Sequence, residues 1–209
     1  MLDDDNACRQ GRAAQVLASE LTFGMQGQDP VEVRLAGGHV LMRGSADKVD
    51  EGRDGTLHVI DIKTGSTRKY KGLSEEHPVL DGTRLQLPVY AYAARQRLGA
   101  SATPVEAEYW FVRKDRGDRV KVPLTPEVET TYAETLETIV RSIAAGLFPQ
   151  RPPADPDFGW TQCAFCNPDG RGHGEARDRW ERKRMDPSLE AYVRVVERDA
   201  LELDEEVDQ

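Results

Sequence analysis

The chain has 209 residues, 38% of them hydrophobic, enough to fill the core of one sizeable domain or of a domain with an appendage. No run approaches the ~18 apolar residues of a membrane span, the start MLDDDNACRQ is acidic where a signal peptide is basic, and three cysteines, an odd number, argue for a reducing cytoplasm without a disulfide framework. The net charge of −9 argues, as a sum, against a nucleic-acid binder, but acids gather at the ends and bases in STRKYKG and RDRWERKR, so the sum does not decide the partner.

Gln10 to Leu21 reads as a helix, with Ala14, Leu17, Ala18 and Leu21 on one side and Glu20 near its end. A Gly-rich turn leads to the alternating strand VEVRL (31–35), the turn Ala36-Gly37-Gly38 and a second strand, HVLMRGSADKVD (39–50). Asp-Gly in EGRDGT marks a hairpin turn, and the next strand runs from Thr56 to Lys63. After a polar loop over 66–81, TRLQLPVYAYAARQRLG reads as a helix ended by Gly99, with Pro88 working against its first turns. VEAEYWFVRK and DRVKVPL read as antiparallel partners, and 125–146 as a long helix capped by Thr125 and stopped by Gly146. Residues 149–174 are irregular, and one charged helix fills roughly 175–200. Strands with flanking helices make an α/β or α+β domain.

The stretch VIDIKTG, Val59 to Gly65, sets an acid and a lysine on one face of a strand that otherwise reads as buried. If the hairpin closes around Arg53-Asp54-Gly55, Asp47 lies opposite Asp61, give or take one position. Two carboxylates on neighbouring strands beside Lys63 suit a hard divalent cation, which prefers oxygen ligands. Such a cation provides a water nucleophile near neutral pH, and an ammonium offsets charge building on a phosphoryl group. Asp50, Glu51 and Asp54 read as turn residues, with Glu51 a reserve ligand because it shares parity with Asp47.

GSADKVDE, VIDIKTG and LQLPVYAYA, in that order, resemble the motifs of RecB-type PD-(D/E)xK nucleases. These are the nuclease domains attached to RecBCD, AddAB and AdnAB helicases and the related CRISPR-associated exonucleases. The motifs span Gly44 to Ala93, and flanking features extend the likeness over most of the chain. The resemblance implies Asp47, Asp61 and Lys63 as the catalytic core, with Gln86 and Tyr90 contacting substrate or Lys63. It also implies the Ile62 carbonyl and Glu20 as further ligands of Mg²⁺ or Mn²⁺. Gln86 and Tyr90 are four apart and so share a helix face.

AddB-type relatives often hold a [4Fe–4S] cluster with one cysteine before the core and three after it. Cys8, Cys163 and Cys166 look like that arrangement with one ligand missing, and His173 lies where a third downstream ligand would be. Three outcomes stay open: a site that has lost its metal, a zinc site of Cys₃His type, and a cluster.

The expectation is an α/β restriction-endonuclease-like core over residues 1–150, a central mixed sheet flanked by helices. A Cys-bearing C-terminal extension would cover 151–209. The resemblance implies a metal-dependent deoxyribonuclease, an exonuclease on single strands or ends in DNA repair, working with a helicase in the same chain or another. The alternatives are a catalytically silent DNA-binding or scaffold module of the same fold, and a zinc-stabilised interaction domain, which leaves the acidic strand face unexplained.

Overall fold

Apolar residues at alternate positions and one crossover helix build the centre of the molecule. The computed structural model describes residues 2–152 and 174–197. In chain order the elements are α1 (Leu2–Arg12), β1 (Gln15–Ala18), β2 (Leu21–Phe23), β3 (Val31–Leu35), β4 (Gly38–Met42), β5 (Gly44–Ala46), β6 (Lys48–Glu51) and β7 (Leu57–Lys63). They continue with α2 (Gln86–Leu98), β8 (Val105–Phe111), β9 (Arg119–Pro123), α3 (Pro126–Ala144), α4 (Gly174–Lys183) and α5 (Glu190–Val196). The chain divides into two compact units, Met1–Glu137 and Thr138–Gln209.

In the first unit a five-stranded mixed sheet has the order β1-β6-β7-β8-β9. β7 and β8 are parallel and the other neighbours antiparallel. Parallel neighbours need a crossover, and α2 is that crossover, packing on both strands. Leu57 and Val59 of β7, Ala107, Tyr109 and Phe111 of β8, and Leu87, Tyr90, Ala91 and Ala94 of α2 share one core. Two small ribbons, β2 with β5 and β3 with β4, complete this unit. The architecture is the α/β restriction-endonuclease-like fold that the sequence leads one to expect. No helix among the described residues is long and apolar enough to cross a membrane.

Three expectations about local structure fail. The helix over 10–21 does not form: α1 ends at Arg12, and Ala13 turns to a φ of 46°. Leu21 and Phe23, two apart, are both buried, so this stretch obeys a strand period, and Glu20 links two strands instead of ending a helix. The strand expected over 39–50 is three strands with different partners, β4 on β3, β5 on β2 and β6 on β1 and β7. Gly44 permits the switch, because a Cβ there would lie 2.9 Å from the Phe23 ring. The helix expected over 175–200 breaks at Asp186-Pro187, where the Asp186 carboxylate accepts from the Ser188 amide. Pro88, by contrast, sits in the first turn of α2, where its missing N–H has no intrahelical partner to lose.

In the second unit Trp180, Leu189, Val193, Val195 and Val196 form a small apolar cluster. The Trp180 indole donates to the Glu197 carboxylate at 3.0 Å, and Arg184 pairs with the same carboxylate at 2.6 Å.

Candidate active site

The hairpin between β6 and β7 has the register expected from its turn. Lys48 faces Ile60, Val49 faces Val59 and Asp50 faces His58. Continued one step, that register sets Asp47 against Asp61. Asp47 is exposed just before β6, and its carboxylate accepts from the Ile62 amide at 2.7 Å, which holds it against the next strand. Asp61 is buried, 6% exposed, and Lys63 pairs with it at 2.5 Å.

The lysine belongs to a linked set of side chains. Its ammonium also donates to the Gln86 carbonyl oxygen at 3.1 Å, and the Gln86 amide donates to the Tyr90 hydroxyl at 2.7 Å. The Tyr90 hydroxyl in turn lies close enough to Asp61 to interact with it electrostatically. Gln86 and Tyr90 occupy one face of the first turns of α2, four residues apart, over the end of β7. The donations run from Lys63 through Gln86 to Tyr90, and Asp61 is tied in by its ion pair with Lys63. Burial raises the Asp61 carboxyl above its ordinary value against the opposing pull of Lys63, and the like charge of Asp47 pushes it further up. Burial and the Asp61 charge push the Tyr90 phenol up to about 12, so it stays a proton donor.

Two carboxylates and one ammonium leave a net negative charge in a partly buried place. Hard oxygen donors with unneutralised charge fit a divalent cation, with the Ile62 carbonyl within the same strand segment. Among the described residues no group of three or more His, Cys, Asp or Glu side chains converges, so carboxylates alone would not complete the shell. Glu20 stands apart: it is exposed, and its carboxylate accepts from the Ser45 hydroxyl at 3.2 Å. Glu51 pairs with the Gln15 amide, and Asp54 accepts from the Thr56 amide as a turn residue does. Asp50 is not a turn residue. It is 1% exposed on the opposite sheet face from Asp61 and pairs with Lys48 at 3.0 Å. Cys8 lies half-buried in α1 as a free thiol, whereas Cys163, Cys166 and His173 lie outside the described residues.

Sequence reasoning missed Tyr109. It lies beside Asp61 in the parallel register, and the Lys63 ammonium sits 4.9 Å from its ring centroid. Alternation along VEAEYWF marks Tyr109 as core, but its meeting with Lys63 depends on the parallel pairing, which no local pattern encodes.

A strand-borne acid pair, a lysine held by an amide and a tyrosine, and a mixed sheet crossed by one helix define a site suited to hydrolysing phosphate esters with a divalent cation. The family model of the PD-(D/E)XK nuclease superfamily matches residues 3–169. The chain belongs to that superfamily. A search of curated proteins finds no match. Among solved structures the chain is similar to the crystal structure of SSO0001, with 23% identity and a TM-score of 0.34. The likeness covers 78% of this chain and 63% of that one.

Proposed function

We propose that the chain is the nuclease part of a RecB-like helicase–nuclease system, a Mg²⁺- or Mn²⁺-dependent deoxyribonuclease that removes nucleotides from single strands or ends. Residues 1–150 would be the nuclease core and 151–209 its extension. The observation that supports the reading most is the linked set Asp61–Lys63–Gln86–Tyr90, which joins two of the three sequence motifs, with Asp47 of the remaining motif held beside it by the Ile62 amide.

Asp47, Asp61 and the Ile62 carbonyl are the residues that would hold the cation, with Glu20 able to join only after a rearrangement away from Ser45. When bound, it supplies Lewis acidity and a more acidic water. The protein's own part is positional and electrostatic. Lys63 holds the attacking water by a hydrogen bond and offsets negative charge on the phosphoryl oxygens. Gln86 fixes the Lys63 side chain in the position for this work, and Tyr90 supports Gln86 by accepting from its amide. The Lys63 pair orients the Asp61 carboxylate before substrate arrives.

The extension would hold either a zinc or a [4Fe–4S] group through Cys8, Cys163, Cys166 and His173, or the family's shape without a metal. Elemental analysis of protein purified without oxygen decides among the three. The exonuclease reading is tested by offering linear and covalently closed circular single strands with Mn²⁺. Release of mononucleotides or short products from the linear strand alone is the expected result. Equal cleavage of the circle would overturn it in favour of an endonuclease.

A further inference from the structure

The basic run STRKYKG follows Lys63 directly in the chain, and the site described above leaves it unused. Ser66–Gly72 holds Arg68, Lys69 and Lys71 and no acid, in a chain whose net charge is −9. Its middle is a single helical turn, Thr67–Tyr70, with all three cations exposed. The turn is held in three ways. Tyr70 packs on Tyr109 at 4.5 Å and on Phe111 at 5.5 Å between ring centroids, so it roots in the ring that the Lys63 ammonium overlies. Arg84 donates twice to the Lys69 carbonyl and lies 5.2 Å from the Tyr70 ring. Asp115 accepts from both the amide and the hydroxyl of Thr67, at 2.7 and 3.0 Å.

That third contact joins a second basic loop to the first. β7 and β8 are in register to their ends, Lys63 beside Phe111, and the Val112 amide donates to the Lys63 carbonyl. The segments after both strands therefore emerge at one end of the sheet, the end that carries Lys63. Arg113 and Lys114 are exposed in the β8–β9 turn, and among the described residues neither they nor Lys69 and Lys71 make an ion pair. Asp115 adopts a φ of 52°, a left-handed conformation that Asp and Asn tolerate better than most residues. Ordering like charges beside one another is unfavourable without an anionic occupant, yet the fold fixes both loops with side-chain hydrogen bonds.

We infer that these two loops form a phosphate track for the nucleic-acid strand being cut, with Lys69, Lys71, Arg113 and Lys114 contacting phosphates beyond the scissile one and Asp115 as the positioning residue that locks the loops together. The inference rests on the nuclease reading for the identity of the strand. A polyphosphate backbone is the occupant because the cations are several, exposed, unpaired and adjacent to the hydrolytic site. They are not gathered into a single pocket as one small anion would require. The strand leaves the catalytic lysine across the track, so the track governs capture more than chemistry.

The test uses the full chain and a fluorescein-labelled single-stranded oligonucleotide, with binding read by anisotropy against salt in EDTA and cleavage read separately with Mn²⁺. The combined change Lys69→Ala, Lys71→Ala, Arg113→Ala and Lys114→Ala should lower the slope of log affinity against log salt by roughly 3, at about 0.7 for each lost contact with a single strand. KM should rise tenfold or more while kcat stays within about twofold. Asp115→Gly keeps the backbone conformation and removes an acid, so charge alone predicts tighter binding, whereas loss of the lock predicts weaker binding. Asp115→Asn retains an acceptor and should bind at least as well as the parent. An unchanged slope in the fourfold variant overturns the track, and tighter binding by Asp115→Gly overturns the lock. A parent that binds with the expected slope but cleaves nothing overturns the nuclease reading and leaves the track standing.

Discussion

Lys63 makes one ion pair, one hydrogen bond to an amide and one contact with an aromatic ring, and each restrains a different degree of freedom of a flexible side chain. Tyr90→Phe removes only a hydroxyl, yet it leaves the Gln86 amide donor unmatched in a part-buried place. We expect a stability loss of about 1 kcal/mol in urea unfolding and a kcat about tenfold lower, since Gln86 then fixes Lys63 less well. Full activity in that variant would show that the linked set is packing alone. Asp61→Asn and Lys63→Ala separate in a calorimetric Mn²⁺ titration: the first should lose most of its binding and the second should keep nearly all of it. Equal loss in both would remove the division between metal ligand and water-holding group.

At the scale of elements, α1 has no buried residue and is attached by charge. Asp5 pairs with Lys48 at 2.5 Å, Arg116 with Asp4 at 3.0 Å, and Arg12 forks onto Glu108 of β8, a carboxylate with no exposure. Arg119 also pairs with Glu108, and Lys121 lies 4.0 Å away, so removing Arg12 takes away the fork on a buried charge that, among the described residues, only those two then face. Arg12→Ala should destabilise by about 3 kcal/mol, the lower end for breaking a buried pair, read from the urea midpoint at constant m. A loss under half of that would mean that Arg119 and Lys121 satisfy Glu108 without Arg12.

Glu106, next on the same face, is held down to about 2 from 4.5. The His58 imidazole, whose Nδ1 lies 3.5 Å from the carboxylate, is the largest cause and burial opposes it, while Lys121 and Arg12 add to the lowering. A depressed carboxyl contributes stability that is fully present above its unfolded value and is lost as pH falls from about 4.5 toward about 2. Glu106→Gln should therefore lower stability above about pH 4.5 and flatten the acid limb below it, so that variant and parent converge toward about pH 2. An acid limb identical to the parent's would contradict the assignment.

The same elements show what a sequence can disclose. Strand parity and the Asp-Gly turn were enough to pair β6 with β7 to within one position, because hairpin register is a local property. Parity along VEVRL and DRVKVPL was equally legible. The N-terminal stretch was not, because α1 is stabilised by partners far away in sequence, such as Glu108, while the apolar spacing of Leu17 and Leu21 fits a helix and a strand alike. Asp-Pro-Ser at 186–188 did carry a signal for a break, an acid able to cap before a residue that cannot continue a helix. The nearness of Asp47, Asp61, Lys63, Gln86 and Tyr90 to one another was suggested by motifs, whereas the contacts of Tyr109 with Lys63 and of Asp115 with Thr67 depend on the parallel pairing of β7 and β8.

For the whole molecule, a net charge of −9 coexists with a basic edge beside the site, so long-range repulsion and local attraction act on the same polyanion. The isolated chain should bind single-stranded DNA weakly at physiological salt, in the micromolar range or above, and a helicase that delivers the strand would supply the missing affinity. Nanomolar binding by the chain alone would show that no such delivery is needed. The most direct measurement of the central claim is Mn²⁺-dependent release of nucleotides from end-labelled single-stranded DNA, run beside Asp61→Asn. The parent should release product only with the metal, and Asp61→Asn, folded as judged by circular dichroism, should release none. Cleavage by Asp61→Asn at the parent's rate, or none by the parent with either Mg²⁺ or Mn²⁺, would contradict it.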